Sequence, residues 1–230
     1  MDHDIRHRPS FALLDVSLDR DESVVAEAGA MVSHGAGVEV TTDRGSGSLL
    51  QSVKRSVLGG ESFFRNTFTA SERTSVTLAP PLPGDIVHRE LRDETLYVQS
   101  GSYLAADPAM DLDAKFGGSR AFFGGEGLFL LSLSGSGDAF LSSYGAVEPV
   151  SLSIGEEYVV DTGHVVAFEE NVSFGVRRVG GLKSTLFSGE GLVCEFEGPG
   201  TVWVQSRSQD AFVRWLVPQL PHDSEDIDGV

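Results

Sequence analysis

Apolar and polar residues alternate along most of this chain in short runs, and glycine or proline interrupts the runs. A period of two places successive side chains on opposite faces of an extended strand, so the pattern predicts β-strands with one buried face each. Three stretches share one layout: Leu58 to Pro80, Phe122 to Gly145 and Phe187 to Ser208. Each reads as a glycine turn carrying a glutamate (Gly60-Glu61, Gly125-Glu126, Gly189-Glu190), then an alternating strand, a polar turn and a second alternating strand. This predicts a β-hairpin written three times, with glutamates 65 and 64 residues apart. A second feature recurs in the same order. Val24 to Val32, LYVQSGSYLAA and YVVDTGHVVAF align on Gly29, Gly101 and Gly163, each a strand, a turn and another strand.

Two features repeating in one order predict three tandem units, over about residues 11–80, 81–145 and 146–208. The connectors Pro80 to Leu91 and Gly145 to Glu157 set proline or glycine before a fresh alternating strand, which breaks one ladder and starts another. A unit of this size is a marginal core by itself, so the three are expected to share inner faces around a pseudo-threefold axis. The predicted class is all-β: a β-sandwich or jelly-roll-like assembly forming a single domain over residues 11–217. Residues 1–10 are polar and read as a loose arm. Leu49, Leu50, Val53, Val57 and Leu58 recur at helical spacing, predicting a helix over Ser46 to Leu58. A second helix is predicted over Gln209 to Val217, stopped by Pro218, and residues 218–230 read as an acidic disordered tail.

Charge narrows the choice of partners. The 34 acidic residues exceed the 17 basic ones for a net charge of −17, and only three of the basic residues are lysines. Such a surplus repels nucleic acid phosphates. It also suits a salt-rich source, because at about 1 M salt the Debye length falls to about 3 Å and self-repulsion is screened. No apolar run approaches the length of a membrane span and no basic-then-apolar leader is visible, so a cytoplasmic protein is expected. Cys194 lies in an apolar alternation and reads as a small buried hydrophobe.

The run from Val159 to Ser208 closely resembles the AIM24 family, also called the DUF124 proteins. GGEGLFLL (Gly124 to Leu131), PPLPGD (Pro80 to Asp85) and SVKRSVLGGESFF (Ser52 to Phe64) resemble the same family's other repeats. The resemblance covers about residues 11–217. It implies a β-sandwich of repeats like those of the tryptophan RNA-binding attenuation protein fold, and a tendency to form symmetric oligomers. It implies no reaction; mitochondrial relatives are linked to inner-membrane organisation through protein contacts. This chain is more acidic than a typical member.

No catalytic or metal constellation stands out. His34, His88 and His164 occupy non-equivalent places and no His-x-His occurs, so no metal ligands are assigned. Asp161, His164 and Ser173 lack a nucleophile elbow, and Asp161 reads as a cap on its own Asp-Thr-Gly turn. Gly60, Glu61, Gly125, Glu126, Gly189 and Glu190 read as structural turns, with a cation-binding ring of carboxylates as the alternative. Lys54, Lys115 and Lys183 each precede a glutamate turn and are the candidate oligomer interface. RNA or tryptophan binding lacks basic or aromatic platforms. The function expected is a non-enzymatic assembly or scaffold protein that forms homo-oligomers and contacts protein partners, with no cofactor. The alternative is a small-molecule module with a cupin-like inner cavity.

Overall fold

A computed structural model of the chain describes residues 1–43, 65–115, 128–178 and 192–220. The first third holds β1 (Asp2–Arg6), β2 (Leu13–Leu18), β3 (Ser23–Glu27), β4 (Met31–His34), β5 (Val38–Asp43), β6 (Arg65–Ala70) and β7 (Thr74–Leu78). β7 lies between β2 and β4, while β6 lies between β3 and β5. The alternation seen in the sequence is a burial alternation: in β2, Leu14, Val16 and Leu18 are buried and their neighbours half-buried. The two sheets close over one core, in which these residues meet Val24, Phe68, Val76 and Leu78.

The second third achieves the same pairing with fewer, longer strands: β8 (Ile86–Gln99), β9 (Tyr103–Ala106), β10 (Asp111–Lys115) and β11 (Leu130–Ser142). β8 and β11 pair along their whole length with a register shift between Gly135 and Ser136. The end of β11 lies between the start of β8 and β9, while β10 joins the start of β11. Gly135 and Gly137 take φ of 118° and 153° at this bend, which a side chain would strain. The last third, β12 (Val147–Leu152), β13 (Glu157–Asp161), β14 (Val165–Glu169), β15 (Ser173–Arg178), β16 (Leu192–Glu197) and β17 (Gly200–Gln205), separates the elements again. There β17 lies between β12 and β14, and β16 between β13 and β15.

The three predicted hairpins are not hairpins. β6 and β7 follow one another in sequence but pair with different partners, as do β16 and β17, and β11 is one continuous strand. The first and third stretches carry the chain from one sheet to another. Alternation alone cannot separate the two cases, since both strands bury one face of every second residue whether they lie side by side or across a core.

Each third has its own core, and two of them borrow residues from the next third. The first includes Ile86, Leu104, Ala105 and Phe140; the second includes Val166, Ala167 and Trp203. The third gathers Val160, Phe168, Cys194 and Phe196 with Leu128 and Leu130. The two connectors meet where Gly84 bridges Gly145, and a Cβ at Gly84 would lie 1.7 Å from the Ser143 carbonyl oxygen.

The amino-terminal arm is a strand. β1 pairs antiparallel with β2 from Asp2 opposite Ser17 to Arg6 opposite Leu13. Met1 and Ile5 pack against the first core while Asp2, Asp4 and Arg6 point outward. Ion pairs from Arg6 to Asp15 and from Arg8 to the buried Asp85 hold it down. At the other end, α1 (Gln209–Leu216) is capped by Ser208, whose hydroxyl accepts from the Ala211 N–H. A 3-10 turn at Val217–Gln219 occupies the start of the stretch expected to be a disordered tail. The helix expected over Ser46 to Leu58 and the sequence beyond Leu220 lie outside the described residues.

Candidate interaction edges

The thirds are joined by strand pairing at two junctions. At the first, Val25 and Ala26 of β3 lie opposite Ala106 and Ala105 of β9. At the second, Val98, Tyr97 and Leu96 of β8 lie opposite Ala167, Phe168 and Glu169 of β14. Side chains reinforce the second junction: Arg89 Nη2 donates to Glu169 Oε1 at 3.1 Å, and its guanidinium lies 4.9 Å from the centre of the Trp203 ring. In both cases the strand before a glycine turn in one third pairs with the strand after the glycine turn in the next.

One strand of each kind is left over. Among the described residues β4 pairs only with β7, and β13 only with β16. The effect on burial is large. In β9 and β14, Tyr103 to Ala106 and Val165 to Phe168 are all buried, none above 2% exposed. In β4, which follows its own glycine turn in the same way, all four residues are exposed, Met31 at 43% and Val32 at 55%. On β13, Val159 is 50% exposed. Edges this open usually carry lysine, proline or a covering loop against stray pairing. Neither Met-Val-Ser-His nor Glu-Tyr-Val-Val-Asp contains lysine or proline.

His34, His88 and His164 do not converge. His34 Nδ1 bonds the Gly35 carbonyl at 2.8 Å on the surface, and His164 Nδ1 bonds the Gln205 carbonyl at 2.7 Å. His88 instead meets His3, with ring centroids 4.2 Å apart, and its Nε2 lies 2.6 Å from Asp138 Oδ1. One ligand atom each from His3, His88 and Asp138 falls within 4.8 Å of the others, so this group could hold a metal ion. Its polar atoms are also engaged with one another: Asp138 Oδ2 accepts from the Met1 amine at 2.5 Å, and His3 Nδ1 lies 3.0 Å from the Met1 carbonyl oxygen. Burial works against the charged Asp138 carboxyl, but hydrogen bonds from the Met1 amine and His88 outweigh it and hold it below its ordinary value. The arrangement ties β1 to β8 and β11. Sequence reasoning missed it because His3 sits in a segment with a single aliphatic residue, Ile5, to mark a strand.

Asp161 Oδ1 accepts the Gly163 N–H at 2.9 Å, capping its turn as expected. With His164 committed to Gln205 and Ser173 exposed on β15, these three residues form no relay. Cys194 is fully buried, and burial, then Asp161, pushes its thiol up to about 12. A cleft of about 90 Å³, bordered by Gln99, Ser102, Ser143, Tyr144, Gln205 and Ser208, is far below the roughly 300 Å³ or more of ordinary small-molecule sites. Trp203 is buried, whereas Trp215 on α1 is 62% exposed. Lys54, Lys183 and the turns with Gly60, Glu61, Gly125, Glu126, Gly189 and Glu190 lie outside the described residues. Lys115 ends β10 opposite Leu130. Among the described residues no helix is long and apolar enough to cross a membrane.

The model of one protein family, "Mitochondrial biogenesis AIM24", matches residues 3–207. An uncharacterised protein of Streptococcus pyogenes is 29% identical over 221 residues, covering 93% of this chain and 89% of its own length. An X-ray crystal structure of a Streptococcus pyogenes protein superposes with a TM-score of 0.80 at 29% identity, covering 95% of this chain and 99% of that one.

Proposed function

The chain belongs to the AIM24 family, and on that premise we propose that it is a non-enzymatic assembly protein whose copies associate through sheet edges and present an acidic surface to protein partners. The observation that carries this reading is the contrast at the glycine-turn strands: β9 and β14 are buried by a neighbouring third, and β4 is bare. The backbone N–H and C=O groups on the side of β4 away from β7 pair with no described strand, and flanked by exposed Met31 and Val32 they are a template for another strand. The recurrence of one pairing order in each third supports the three-unit reading, in which every unit needs a neighbour on both sides. Lys54, Lys115 and Lys183, each preceding a glutamate turn in the sequence, are the positive charges we assign to meeting an acidic face of the next copy.

A net charge of −17 sets copies against one another in dilute buffer, so association strengthens with salt. Sedimentation velocity of the whole chain over a concentration series, in dilute buffer and in about 1 M KCl, is expected to give species heavier than one chain, most of all in KCl. A single-chain mass at every concentration in both buffers overturns the proposal.

A further inference from the structure

We infer that β13 of one copy pairs antiparallel with β4 of the next in a defined register, His34 opposite Val159 and Ser33 opposite Val160. This rests on the self-association proposed above and names its partner and geometry.

The register comes from the two junctions inside the chain, which share one offset. At the first, Ala105, four residues after Gly101, faces Ala26, three before Gly29. At the second, Ala167, four after Gly163, faces Val98, three before Gly101. One step further along, Ala106 faces Val25 and Phe168 faces Tyr97. Two junctions built from different side chains arrive at the same alignment, so it follows from backbone geometry around the glycine turns. Applied to the two unused strands, the offset sets Ser33 against Val160, His34 against Val159 and Gly35 against Tyr158.

The pairing is between copies because β4 and β13 of one chain pair only with β7 and β16 among the described residues. The two edges are different surfaces, so the contact is heterologous: each copy gives β13 to one neighbour and β4 to another. Such a contact makes a ring where the rotation closes and an open chain where it does not. It covers Met31, Val32 and Val159 in the way their counterparts on β9, β14, β3 and β8 are covered.

The test uses full-length His34→Cys and Val159→Cys variants, with native Cys194 buried out of reach. Oxidation of the mixture, under conditions where the wild-type chain associates, is expected to give the mixed disulfide in excess of either homodimer. A chain carrying both substitutions is expected to give a covalent ladder. His34→Cys with Glu157→Cys is the register control: two residues along a strand is about 6.6 Å, which moves the pair beyond disulfide reach, so its yield is expected to be several-fold lower. Val159→Glu and Val32→Glu are expected to weaken association roughly tenfold or more by placing charge on the contact, with the melting temperature of the dilute chain unchanged. Preferred homodimers, yields indifferent to register, or an intrachain disulfide in the double variant would each overturn the inference while leaving self-association standing. A wild-type chain already found monomeric removes both.

Discussion

β9 and β4 hold the same place relative to their glycine turns, yet Leu104 is fully buried and its counterpart Val32 is 55% exposed. Both are aliphatic residues on four-residue strands, β4 at the edge of a four-stranded sheet and β9 between β11 and β3 in the longest one. What separates them is the strand beyond: β3 lies against β9, and none of the described strands lies beyond β4. Burial of a strand in this fold is therefore decided one unit away in sequence. A strand can stand exposed without any change in its own alternating pattern.

The sharpest way to break this comparison is to shorten the two side chains in turn. Leu104→Ala removes core volume between the first two thirds and is expected to cost about 2–5 kcal/mol. Val32→Ala in the dilute single chain is expected to stay within about 0.5 kcal/mol. Equal losses in chemical denaturation would show that the two strands are not differently covered.

Gly84→Ala probes the connector crossing that holds the thirds together. Its Cβ would meet the Ser143 carbonyl oxygen at 1.7 Å, and backbone must move to make room, for an expected loss of about 1–3 kcal/mol. A smaller loss is expected for Arg8→Ala, which strips Asp85 of a two-pronged partner at 2.7 and 2.9 Å. The Arg8 side chain is half exposed, so water compensates in part and the cost is about 1–2 kcal/mol. An unchanged denaturation midpoint in either variant would contradict the packing described.

The hold of β1 on the second third should vary with pH in a direction the charges dictate. The Asp138 carboxyl is held below its ordinary 3.8, so its contribution is complete above that value and is lost as pH falls through the lowered one. The hydrogen bond to Asp138 raises the Met1 amine above its ordinary 8.0, so that contribution is complete below pH 8.0 and is lost as pH rises through the raised value. Protection factors of β1 amides are expected to peak between the two limits. A flat profile would mean that the strand is held by its ladder to β2 alone. The smallest effect expected is at Cys194: with its thiol pushed up to about 12 and fully buried, thiol reagents at neutral pH should label it only on unfolding.

The alternation and glycine punctuation were enough to read an all-β chain, because in-and-out burial writes itself directly into residue type. What could not be read was which strand each one faces. Leu58 to Pro80 has the same alternation as a hairpin or as a crossing between layers, and only the partners of β6 and β7 decide between them. β1 was missed for a related reason. His3 turns inward to meet His88 and Phe140, so a half-buried position carries a polar residue, and Ile5 alone marks the inner face. The edges at β4 and β13 were equally illegible, since Met31, Val32 and Val159 look like core residues in a sequence that has no way to show a missing neighbour.

Phe140 and Leu104 belong to the first core, although the chain has already built both layers around that core by Leu78. During synthesis the leading portion must leave the ribosome with its interior uncapped, and it cannot be sealed until Phe140 has emerged. For that interval its apolar residues stand open to any passing chaperone, and a stall in translation before that point would strand a species prone to clumping.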